Sequence, residues 1–176
     1  IDDAVKAGEN TLRVKLENYP ESSRWYPGAG LYRHVHLVIT DKIHVPVWGT
    51  YVTTPNVSAQ FATVNVRTSI AGANKGDKIE VRTELVDASG KVVSRNNTGY
   101  TAYPQQPAIQ NLSVEHPVLW SPENPYLYKV VTRLVKDGVE RDCYTTRIGI
   151  RKLEYIPEKG FFLNGRSTKF KGVCNH

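Results

Sequence analysis

Ile79-Glu80-Val81-Arg82-Thr83-Glu84-Leu85-Val86, followed by Asp87-Ala88-Ser89-Gly90 and then Lys91-Val92-Val93, reads as a strand, a turn and a second strand. Ile79, Val81 and Leu85 fall on one face, and charged residues occupy the other, which is the period of 2 expected of a half-buried strand. The same alternation recurs on both sides. Ala62, Val64, Val66 and Ile70 share one face, as do Leu12, Val14 and Leu16. Lys136-Asp137-Gly138 separates an apolar stretch at Tyr126 to Val135 from another at Val139 to Ile150, and Asn164-Gly165 follows Phe161-Phe162-Leu163. Such Asp-Gly and Asn-Gly pairs supply the φ > 0 residues of tight hairpins. No stretch carries a convincing 3.6-residue period. About seven strands are expected between Ile43 and Tyr155. Each has a single apolar face that a second sheet must cover, so the reading is an all-β, immunoglobulin-like antiparallel β-sandwich. Val64, Val66, Ile79, Val81, Leu85, Val130 and Leu134 are predicted to point inward. Pro55, Pro104, Pro107, Pro117, Pro122 and Pro125 are expected in loops, where a missing N–H does little harm to ladders.

The residues before Asp41 do not join that count. Thr11 to Leu16 and Arg33 to Thr40 read as strands without partners, separated by an irregular aromatic loop from Tyr19 to Tyr32. They are expected to complete another sheet upstream. The chain opens at Ile1, contains no methionine and stops at His176, just after a new buried strand begins at Lys171-Gly172-Val173. It is therefore expected to be a piece of a longer protein.

Composition narrows the function classes. The formal charge of +6 raises nucleic acid as a partner, but the basic residues are scattered singly along strand faces and form no stripe, so none is expected. No run approaches the ~20 apolar residues of a membrane span, and no membrane contact is expected. Two cysteines, Cys143 and Cys174, fall short of a disulfide framework or a zinc site. His34, His36 and His44 lack the partners of a metal centre and read as ordinary sheet residues. Asp77, Glu80, Glu84, Asp87, Glu140 and Asp142 sit in alternating strands or turns and read as solvent-facing.

Three stretches carry a resemblance. Ser22-Ser23-Arg24-Trp25-Tyr26-Pro27-Gly28-Ala29-Gly30-Leu31-Tyr32-Arg33, Trp120-Ser121-Pro122-Glu123-Asn124-Pro125-Tyr126-Leu127-Tyr128, and Phe162-Leu163-Asn164-Gly165 through Lys171-Gly172-Val173-Cys174-Asn175-His176 occur in this order. Together they strongly resemble glycoside hydrolase family 2, the family of β-galactosidases and β-glucuronidases. The resemblance implies that residues 1–40 are the tail of a sugar-binding jelly roll, 41–155 the sandwich, and 156–176 the hairpin and first strand of a catalytic (β/α)₈ barrel. It also implies a retaining glycosidase as the whole enzyme, with carbohydrate as its partner, a cation such as Mg or Na as its cofactor, and scope for homo-oligomers. For this stretch it implies no cofactor and no catalytic residue, since both catalytic glutamates of the family lie on later barrel strands. His176 matches a histidine that lines the family's sugar pocket at the end of the first barrel strand, where barrel active sites lie.

The residues also have readings of their own. Trp25 and Tyr26 either bury large area between domains or stack on an apolar sugar face. Where many family members carry a carboxylate that helps to bind sugar or a cation, this chain shows Arg24 beside Ser23, and Arg24 can donate to sugar hydroxyls. Arg24 and Trp25 are thus the substrate-binding candidates. Trp120 to Pro125 reads as an anchored turn with Glu123 a plain turn residue. Three roles stay open: a non-catalytic scaffold of a glycosidase, a carbohydrate-binding module using Trp48, Tyr51, Tyr100 and Tyr103, or an immunoglobulin-type adhesion domain. The compartment is not legible.

Overall fold

A computed structural model describes residues 4–22, 28 and 30–174. Contacts divide the chain into two compact units, Ile1–Val38 and Ile39–His176. Ten strands occur among the described residues, all in the second unit: β1 (Thr50–Val57), β2 (Phe61–Thr68), β3 (Lys78–Val86), β4 (Val92–Thr101), β5 (Ala108–Glu115), β6 (Tyr128–Lys136), β7 (Val139–Ile148), β8 (Leu153–Ile156), β9 (Gly160–Leu163) and β10 (Arg166–Ser167). The first seven build an immunoglobulin-like sandwich from a β1-β2-β5 sheet and a β4-β3-β6-β7 sheet, all pairs antiparallel. The last three form a small sheet in the order β10-β9-β8.

The turns follow their residues. Asp137 (φ 54°) and Gly138 (φ 76°) join β6 to β7, and Asn164 (φ 51°) and Gly165 (φ 79°) join β9 to β10, both with the paired positive φ of a type I′ hairpin. Between β3 and β4, Asp87 Oδ1 accepts the N–H groups of Ser89 and Lys91, both at 2.9 Å.

All seven residues predicted inward are at most 2% exposed. They do not form one apolar mass. Ala62, Val64, Val66, Leu85, Leu112, Val114, Tyr128, Val130 and Ile150 make one cluster; Ile43, Val45, Ile79, Val81, Ala108 and Leu134 make another. A polar layer lies between them. In the β3–β6 register Leu85 faces Val130, Thr83 faces Thr132, and Val81 faces Leu134, so the two threonines interrupt the apolar ladder at the same level. Gln110 of β5 reaches that level from the opposite sheet: Thr83 Oγ1 donates to Gln110 Oε1 at 2.6 Å, and Gln110 Nε2 donates to the carbonyls of Val81 at 2.9 Å and Asn96 at 3.0 Å. Buried polar groups are tolerated when bonded in this way.

Side chains close both sides of the sandwich. Thr50 Oγ1 lies 2.5 Å from Thr146 Oγ1, and Asp142 Oδ2 accepts the Val45 N–H at 2.7 Å. On the far side Asn96 Nδ2 donates to the Asn111 carbonyl at 2.9 Å.

Three expectations need correction. Thr11 to Leu16 and Arg33 to Thr40 form no strand among the described residues, and Leu12, Val14 and Leu16 are exposed. A strand needs a neighbour to receive its hydrogen bonds, and no described strand pairs with either segment. Pro55 is not in a loop but inside β1, where the register shifts between Thr53 and Asn56. β1 is an edge strand, and a bulge there accommodates the missing N–H. Finally, several acidic residues read as solvent-facing are half-buried and engaged. Asp77 pairs with Lys136 at 2.9 Å, Glu84 with Arg133 at 3.1 Å, and Asp142 caps Val45.

Candidate functional site

The residues that carried the site expectations, Arg24, Trp25 and His176, lie outside the described residues. The two ends of the sandwich hold the other candidates.

At one end the Trp120 loop is tied to the small sheet. The Trp120 N–H donates to the Ile150 carbonyl at 2.8 Å, and the Arg151 guanidinium lies 4.8 Å from the Trp120 ring centroid, within cation–π range. Gly149 leaves the indole its place: a Cβ there would lie 2.7 Å from Trp120 Cβ and Cγ. Asn164, at the hairpin turn, then joins three segments. Its Nδ2 donates to the Trp120 carbonyl at 3.0 Å, its Oδ1 accepts the Lys152 N–H at 2.9 Å, and its own N–H donates to the Lys152 carbonyl at 2.9 Å. Asn-Gly was legible as a turn, but the bonds of the Asn164 side chain were not. Ser121 to Asn124 forms the expected turn, with the Ser121 N–H donating to the Asn124 carbonyl at 3.0 Å. Glu123 is exposed; its own backbone N–H, and secondarily Ser121, hold its carboxyl below the ordinary range.

Tyr128, just past this loop, was not singled out by sequence. It is 3% exposed, and its Oη accepts the Val118 N–H at 2.9 Å, an arrangement like the tyrosine corner of immunoglobulin-like domains. Burial pushes the phenol pKa up. The signal lay in parity, since Tyr128 shares its face with the inward Val130 and Leu134.

At the opposite end the four candidate aromatics do not all line one cleft. Trp48 is 91% exposed in a turn at φ 60°, and its N–H donates to Tyr144 Oη at 3.1 Å. Tyr100 and Tyr103 line a cleft of about 270 Å³ that neither Trp48 nor Tyr51 lines. Nearby, the Lys136 ammonium, with the Asn74 N–H, holds the Asp77 carboxyl below its ordinary range.

Among the described residues no three His, Cys, Asp or Glu side chains gather into a metal-binding group.

Comparison with known proteins places this arrangement. Residues 43–151 match the family model described as glycosyl hydrolases family 2, a stretch that contains all seven sandwich strands. Beta-galactosidase BoGH2A of Bacteroides ovatus is 40% identical over 95% of the chain, and a beta-glucuronidase of Bacteroides fragilis is 30% identical over the whole of the chain. A crystal structure of a glycosyl hydrolase family 2 member from Bacteroides cellulosilyticus superposes on 87% of the chain with a TM-score of 0.79 at 42% identity, covering 20% of that protein. The chain spans 20% of the Bacteroides ovatus relative and 27% of the Bacteroides fragilis one. With the matched model coinciding with the sandwich and the fold shared at this level of identity, the chain belongs to glycosyl hydrolases family 2.

Proposed function

We infer that this chain is the non-catalytic β-sandwich portion of a retaining, exo-acting glycosidase of β-galactosidase type, which it serves by spacing a sugar-binding jelly roll from a catalytic barrel and buttressing the barrel. In this reading residues 1–40 belong to the jelly roll, 41–155 to the sandwich and 156–176 to the barrel's first hairpin and strand. Carbohydrate binds through the catalytic domain, with His176 as a sugar-pocket residue of the whole enzyme and Arg24 and Trp25 as the substrate-binding candidates of this stretch; a cation such as Mg or Na acts elsewhere in the enzyme, and the whole enzyme can form homo-oligomers.

The observation that carries this reading is the structural commitment of four of the sandwich's carboxylates. Asp41 Oδ1 accepts the Ile43 N–H at 3.0 Å, Asp142 holds Val45, Asp77 pairs with Lys136, and Asp87 organises its turn. A retaining mechanism needs two carboxyl groups ~5 Å apart and free to meet a sugar, one as acid/base and one as nucleophile. These four serve the fold instead. The names of the relatives, beta-galactosidase and beta-glucuronidase, support a glycosidase as the whole protein.

The test is turnover of aryl β-galactosides and β-glucuronides by the purified 176-residue chain. No release of the aryl group above buffer is expected. Release that survives removal of host glycosidases, and is lost in Asp142→Asn, would place a catalytic carboxylate in the sandwich and overturn the scaffold role.

A further inference from the structure

The cleft at the β4–β5 end of the sandwich has no part in the scaffold role. It is lined by Lys75, Tyr100, Tyr103, Gln105 and Gln106 among others, and none of its lining residues is acidic. Its walls are held in place. Tyr100 Oη donates to the Gln106 carbonyl at 2.5 Å, the Gln106 N–H donates to the Tyr103 carbonyl at 3.2 Å, and the Ala102 N–H donates to the Asp77 carbonyl at 2.8 Å. Pro104 and Pro107 restrict the backbone between these bonds. Gln105 sits at the tip with φ 62°, a conformation that costs an L-residue free energy and persists only where its surroundings hold it. The Lys75 ammonium lies 5.0 Å from the Tyr103 ring centroid, so a cation and an aromatic ring lie together in the cleft, whose lining also includes two glutamines.

This combination has a chemical preference. Aromatic rings pack against the C–H faces of pyranose rings, primary amides both donate to and accept from hydroxyls, and a lysine without a lining carboxylate favours a negatively charged group. A volume of about 270 Å³ is just below the ~300 Å³ lower end of small-molecule sites, which restricts the occupant to one ring and its substituents. We propose that this cleft is an ancillary binding subsite for a sugar that carries a carboxylate, with Lys75 pairing to the carboxylate, Tyr103 packing on the ring and Gln105 meeting a hydroxyl. The order already present in the 100–107 loop lowers the cost of binding, because little has to be immobilised. The proposal does not depend on the scaffold role, since a silent scaffold and a sugar subsite can coexist in one sandwich.

The experiment is titration of the isotopically labelled chain with methyl β-glucuronide and, as the neutral match, methyl β-glucoside, followed by amide chemical shifts. Saturable shifts confined to residues 69–75 and 100–107 are expected with the glucuronide, at least about tenfold tighter than with the glucoside and weakening as salt is raised. Lys75→Gln, an exposed substitution, should lower the glucuronide affinity about tenfold while leaving the rest of the spectrum unchanged. Tyr103→Ala should weaken both sugars. The proposal is overturned by absence of saturable shifts, by shifts mapping elsewhere, by equal affinity for the two sugars, or by an unchanged affinity in Lys75→Gln.

Discussion

Gly72→Ala is expected to lower the melting temperature of the chain by about 10 °C, the largest loss among its single-glycine substitutions. Gly72 has φ 73°, and a Cβ built on it would lie 1.7 Å from the Lys42 carbonyl oxygen. The left-handed backbone alone costs an alanine roughly 1 to 2 kcal/mol. The overlap is with main chain rather than with a yielding side-chain tip, so the backbone must move, at a further cost of roughly 1 to 3 kcal/mol. Movement there reaches the core. The adjacent Ala71 exchanges backbone hydrogen bonds with His44, at 2.8 and 3.2 Å, and His44 lies between Ile43 and Val45, both buried in the second apolar cluster. Gly90→Ala is the control. Gly90 has φ 92°, and a Cβ added there would meet nothing within 4 Å, so this variant should show the conformational cost by itself, a few degrees. Equal losses for the two variants by thermal melt would mean that the Lys42 contact carries no weight.

Gln110→Leu is expected to cost about 3 kcal/mol in urea denaturation, although leucine is similar in volume and the site is buried. The substitution leaves Thr83 Oγ1 without its 2.6 Å acceptor and removes the Nε2 donor from the Val81 and Asn96 carbonyls. Burying unpaired polar groups costs more than the pair contributed when intact. The triple change of Gln110→Leu with Thr83→Val and Thr132→Val should therefore be more stable than Gln110→Leu alone, because it removes both hydroxyls as well. A Gln110→Leu protein as stable as the original would show that the polar layer is incidental to how the two sheets are held together.

That layer also marks where sequence reading ended. Strand parity gave away the inward faces of β2, β3 and β6, because Val64 and Val66, Ile79 and Val81, and Val130 and Leu134 alternate with polar neighbours that water can solvate. Asp137-Gly138 and Asn164-Gly165 were readable because few residues tolerate paired positive φ. Parity says which face a residue occupies, not what meets it there. Gln110 has the parity of Ala108 and Leu112, yet its partners, Thr83, Val81 and Asn96, lie far away in sequence, and only the sheet register brings them to one level. The cleft has the same cause. Tyr100, Tyr103 and Lys75 meet through the bonds of the 100–107 loop, whereas Trp48 and Tyr51, equally aromatic in the sequence, do not line it. Pro55 was misplaced because a proline inside a strand is acceptable only at an edge bulge, and which strand is an edge is decided by the topology.

Asn164→Ala, introduced into the longer glycosidase that we propose contains this chain, separates support from chemistry, because it cuts the side-chain bonds between the Trp120 loop, Lys152 and the hairpin without touching a carboxylate. If this region buttresses the enzyme and does no chemistry, kcat and KM at 25 °C should stay within about threefold of the original, while the temperature of half-inactivation falls by several degrees. A kcat/KM reduced more than about a hundredfold with an unchanged inactivation temperature would contradict the scaffold role, because the loss would then be of transition-state stabilisation and not of support.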